Sequence, residues 1–80
     1  MSTNQETNLT VGDFLSGLRQ HVSQFDARLI LDSALVGAGL QFEEGSKLRR
    51  EEAESICLEL IRKGGPAFQV GSQIYRQNLQ

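Results

Sequence analysis

The sequence predicts a small, mainly all-α bundle: three principal helices, one or two short ones, and a C-terminal tail that is in part extended. Three observations carry this prediction. Apolar residues recur at spacings of three and four over most of the chain. Cap residues of the Ser, Thr and Asp type stand just before two of those apolar runs. A Gly64-Gly65-Pro66 stop then separates the clearest helical pattern from a second apolar segment that continues almost to Gln80.

The 80 residues fit a single domain with little core to spare. Residues 1–9 are polar, with Leu9 as the one apolar anchor after Met1, and read as a flexible arm. The ordered domain is expected over residues 10–80, with residues 67–80 as its tail. Thr10 is placed to cap the first helix, and Asp13, three residues on, fits the acidic partner of a capping box. Val11, Phe14, Leu15, Leu18 and Val22 then fall on one side of that helix. Ser23 and Asp26 repeat the cap pattern for a second helix. This one carries Phe25, Ala27, Leu29, Ile30, Leu31, Ala34, Leu35 and Val36, so it is apolar on nearly every side. Such a helix is expected in the middle of the bundle with neighbours around it, until Gly37 and Gly39 end it.

Residues 40–47 read as a turn and loop anchored by Leu40 and Phe42. The third helix, from about Arg49 to Lys63, has Ala53, Ile56, Cys57, Leu60 and Ile61 at helical spacing. Its acids lie at the start (Glu51, Glu52, Glu54) and its bases at the end (Arg62, Lys63), matching both ends of the helix dipole. Beyond Pro66, Ala67–Val70 is long enough for one helical turn. Gly71 is expected to break it, and Gln73–Leu79 to run extended.

Composition excludes several function classes. Net charge is −2, and the one basic run, Lys47-Leu48-Arg49-Arg50, is followed at once by Glu51, Glu52 and Glu54. That balance disfavours binding to nucleic acid by bulk phosphate attraction, although Arg19, Arg28, Arg49 and Arg50 define a runner-up basic face. No run approaches the roughly 18 apolar residues of a membrane span. No basic region precedes an apolar one at the N-terminus, so a cytoplasmic location is expected. The single Cys57 sits in an apolar stripe and reads as a buried structural thiol. His21 has no second ligand nearby, so no metal is expected. The serines lack a histidine–acid partner arrangement, and Glu43 and Glu44 lack a group to tune them. No cofactor, and no enzyme activity, is expected.

One resemblance emerges from the order of motifs. Phe25-Asp26-Ala27-Arg28-Leu29-Ile30-Leu31 is followed by a glycine-containing break. Leu48 then leads a helix with Glu51 and Glu52, and Gly65-Pro66 precedes Gly71 and Tyr75. This order resembles the N-terminal helical domain of the HemK-type glutamine methyltransferases, which modify peptide-chain release factors. In that family an Asp-Ala-x-x-Leu-Leu segment forms the central helix, matched here by Asp26, Ala27, Ile30 and Leu31. A Gly-x-Pro followed by a glycine and an aromatic leads toward the catalytic domain, matched by Gly64, Pro66, Gly71 and Tyr75. The resemblance covers roughly Val11 to Leu79. The family's Asn-Pro-Pro-Tyr motif cannot occur in a chain with one proline, and no strand, glycine-rich turn and helix for a methyl donor is present. What the resemblance implies is contact with a protein, not methyl transfer.

The expected function is therefore a non-catalytic protein-binding module, of the kind a phage or mobile element uses to modulate a bacterial protein. The partner is another protein or a second copy of the chain. The accessory fragment of a separately encoded methyltransferase is a further alternative. Phe68, Ile74, Tyr75 and Leu79 in the tail either fold back to cover the bundle or form the candidate interaction surface, where an extended segment would offer unpaired backbone groups for strand addition.

Overall fold

The computed structural model describes residues 6–43 and 45–80. Strand β1 (Glu6–Thr10) leads into helix α1 (Val11–Arg19) and then α2 (Gln24–Ala38). A second strand, β2 (Lys47–Arg49), leads into α3 (Arg50–Lys63), which turns back into α4 (Gly65–Asn78). The result is a mainly helical bundle with one small two-stranded antiparallel ribbon, β1 against β2.

The capping chemistry read from sequence is present at α1. The Thr10 amide donates to Asp13 Oδ2 at 2.9 Å, and the Asp13 amide donates to Thr10 Oγ1 at 3.3 Å. At α2 the Asp26 amide donates to Ser23 Oγ at 3.1 Å, and Gly39, at φ 75°, closes the helix in the left-handed conformation that glycine adopts without strain. The α3 helix runs from Arg50, one residue later than expected, with the Arg49 amide donating to Glu52 Oε1 at 2.8 Å.

Three expectations need correction. Glu6–Leu9, read as part of a flexible arm, is strand; the remainder of that arm, residues 1–5, lies outside the described residues. Glu6 faces Arg49 and Thr10 faces Lys47, so four steps along β1 oppose two along β2 and the ribbon is irregular. Thr7 bridges that irregularity, donating from Oγ1 to the Leu48 carbonyl at 2.9 Å and accepting from the Leu9 amide at 3.0 Å. Leu9 and Leu48 are both buried beneath it. The polar composition of the segment conceals this because the pairing depends on residues forty positions away.

The second correction concerns the tail. Gly65–Asn78 is a continuous helix, with Pro66 in its first turn, where a missing amide proton costs nothing. Its buried positions Ala67, Val70 and Gly71, with Ile74 and Tyr75 partly buried, follow the i, i+3, i+4, i+7, i+8 rhythm of one helix face. Gly71 does not interrupt the helix: it is where α4 presses on α3. A Cβ there would lie 2.9 Å from the Cys57 carbonyl oxygen and 3.0 Å from Leu60 Cβ. Gly64 and Gly65, at φ 81° and 59°, make the reversal between the two helices.

The third concerns α2, which is not surrounded. Ala27, Leu31, Ala34 and Leu35 are buried against α1 and α3, while the opposite side of the helix faces solvent. The core is otherwise that of a small bundle, centred on Phe14, Leu18, Leu31, Leu35, Ile56 and Leu60, and no polar side chain among the described residues is buried in it.

Candidate functional site: an exposed apolar stripe on α2

On α2, Phe25, Leu29 and Val36 are 72%, 52% and 78% exposed. At 100° per residue the three lie within about 40° of one another around the helix axis, so they form a single stripe along the solvent side. Asp32 falls within the stripe and Arg28 at its edge. The Arg28 Nε lies 3.1 Å from Asp32 Oδ1, and the guanidinium carbon stands 3.8 Å from the centroid of the Phe42 ring. This stacking ties the loop after α2 to the helix and holds the cation beside the stripe. Leu15, Gln24, Phe25 and Arg28 line a shallow recess of about 420 Å³ at the N-terminal end of the stripe.

The tail residues are distributed differently from expectation. Leu79 is fully buried, and its carbonyl oxygen accepts from Arg50, which fastens the end of α4 to the start of α3. Ile74 and Tyr75 are partly buried against the core, and Phe68 alone of the four is exposed, at 48%. The structure thus separates these residues rather than gathering them into one surface. With Gly65–Asn78 helical, its backbone groups are engaged within the helix and do not form a strand edge. The signal that finds the α2 stripe in sequence is surplus: nine apolar positions in one 15-residue helix are more than one buried face holds.

The remaining candidates are spread over the described residues, and Glu44 lies outside them. Cys57 is fully buried, and its thiol is pushed up to about 12, first by burial and second by the nearby Glu54 carboxylate. A groove of about 370 Å³ between α1 and α4 is lined in part by polar side chains, among them Asn8, Asp13, Gln20, His21, Gln73 and Gln77. Among the described residues no group of three or more His, Cys, Asp or Glu is placed to hold a metal ion. Three cations of the runner-up basic face are paired with acids: Arg28 with Asp32, Arg49 with Glu51, and Arg50 with Glu54. Among the described residues no helix is long and apolar enough to cross a membrane. No protein family, curated protein or solved structure matches this chain.

Proposed function

We propose that this chain is a non-catalytic protein-binding module whose contact surface is the α2 stripe of Phe25, Leu29 and Val36. The observation that carries this reading is the exposure of three large apolar side chains on one side of one helix, with buried small residues (Ala27, Ala34) holding the opposite side against the bundle. Scattered exposed apolar residues are ordinary, but an aligned stripe is a surface that association would remove from water. An amphipathic helix presenting anchors at i, i+4 and i+11 is a common way for one protein to meet another. The resemblance to the HemK-type N-terminal domain points the same way, since it implies contact with a protein.

The test is site-specific photo-cross-linking in cells, with the reactive group at residue 29 and, as a control, at exposed Gln73 on α4. Protein adducts of defined mass are expected from residue 29, and they should disappear when Phe25 and Val36 are both changed to Ser. Equal labelling from the two positions, or none from residue 29, would overturn the assignment.

A further inference from the structure

We infer that the occupant of the stripe is the same stripe of a second copy, the two α2 helices packing antiparallel about a two-fold axis. This rests on the protein-binding reading above and names its partner.

In a two-fold interface, residue i meets residue j of the other copy and j meets i. Across antiparallel helices the paired positions have a constant sum. Setting Phe25 opposite Val36 of the second copy gives a sum of 61, which places the large ring against a small side chain at both ends. Leu29 and its mate then straddle the axis. In this register Arg28 is directly opposite Ser33 and Asp32 opposite Leu29; Arg28 and Asp32 of the other copy, whose sum of 60 is one position off, lie side by side on the same flank of the stripe, and the reciprocal pair forms by symmetry.

Charge excludes the competing arrangements. A parallel pair would set Arg28 against Arg28 and Asp32 against Asp32. An antiparallel pair centred on Leu29, with a sum of 58, would bring Arg28 beside Arg28 of the other copy, two positions off the register. Of these three arrangements, the Phe25–Val36 register is the one that brings opposite charges beside each other in both halves. Arg28 and Asp32 are about half exposed, so both are reachable from outside the molecule. The guanidinium has donors to spare for a second carboxylate, and its stacking on Phe42 holds it in place.

The stripe from Phe25 to Val36 is ~16 Å long at 1.5 Å per residue. A contact of that length falls short of the roughly 1,600 Å² of a standard interface, so the dimer is weak. Its dissociation constant is expected at about 10–100 µM, far weaker than the nanomolar binding of well-filled interfaces.

The experiment is sedimentation velocity on the purified full chain from ~5 µM to ~1 mM, a range that brackets this affinity. Wild type should move from 8.9 kDa toward twice that mass as concentration rises. Leu29→Glu should stay monomeric throughout while keeping the wild-type circular dichroism spectrum and, at the lowest concentration, where wild type is also monomeric, the wild-type melting temperature. Arg28→Asp and Asp32→Arg should each weaken self-association about 10-fold or more. An equimolar mixture of these two variants should associate within about threefold of wild type, because every cross-pair is then opposite in sign. Loss of the Arg28–Phe42 stacking alone would not be repaired by mixing, so restoration identifies the cross-pairing itself. A wild type that remains monomeric at the highest concentration, a dimer indifferent to Leu29→Glu, or a mixture no better than its components would overturn the inference. Monomeric wild type with residue-29 adducts to a different protein would sink self-pairing and leave the protein-binding reading standing. Loss of both results would sink both.

Discussion

Gly71 gives the sharpest residue-level test of the helix packing. Alanine there would improve intrinsic helix propensity by up to ~1 kcal/mol. Yet its Cβ would lie 2.9 Å from the Cys57 carbonyl, a backbone atom that cannot rotate away. We expect Gly71→Ala to lower stability by a net ~1–3 kcal/mol in urea unfolding, since overpacking costs more than propensity returns. A stabilised variant would show that α3 and α4 do not approach as described. Cys57 offers a second test, in which pH is the variable. Its thiol is raised from 9.0 to about 12 in the folded chain, so the unfolded chain loses its proton first as pH rises. The stability linked to this thiol is therefore fully present below pH 9 and declines between about 9 and 12, by up to ~1.4 kcal/mol per pH unit. Wild type should weaken relative to Cys57→Ala as pH is taken from 8 to 10.5, measured by chemical denaturation at each pH. A constant difference between the two would rule this linkage out.

At the scale of the element, α4 and its end decide the role of the tail. Leu79 is buried, and the Leu79 carbonyl receives Arg50. Removing Leu79 and Gln80 should cost ~2–5 kcal/mol, the range for deleting a buried leucine side chain, with the lost Arg50 contact adding to it. The same truncation should leave the concentration dependence of mass unchanged, because the stripe lies on α2. If truncation abolished self-association while the fold held, the tail rather than α2 would be the contact surface. The capping box at α1 is more modest: Thr10→Ala should lower stability by ~1 kcal/mol. Phe25→Ser and Val36→Ser, by contrast, should change stability little, since both side chains are mostly exposed in the folded chain.

At the scale of the whole molecule, the bundle has a clear division of labour. The α3–α4 hairpin supplies the tight interior contact, with Gly71 against the α3 backbone and Gly64-Gly65 reversing the chain. The β1–β2 ribbon closes one end, joining the start of the described chain to the entry of α3. The α2 helix completes the core with one side and leaves the other unpartnered. A small domain hides only about 60% of the surface its unfolded chain exposes, so a helix with apolar residues on every side exceeds what the bundle can cover. Association would bury that excess. Self-association should therefore raise the melting temperature with protein concentration in wild type and not in Leu29→Glu, which differential scanning calorimetry would register.

Much of the local structure was legible in the residues themselves. Thr10 with Asp13 and Ser23 with Asp26 are contacts within one helical turn, and the charge gradient along α3 is a property of that one helix, so neighbouring residues determine them. The core residues of α1 and α3 follow from the same short-range periodicity. The strand at Glu6–Thr10 was hidden because its partners lie some forty positions away. Gly71 looked like a helix breaker because the reason for glycine there is another helix's backbone. The placement of Phe25, Leu29 and Val36 on the open side, and of Leu79 inside, was likewise a tertiary decision. Sequence periodicity says that a face is apolar, but only the arrangement of neighbouring elements determines which apolar face finds cover and which remains in water.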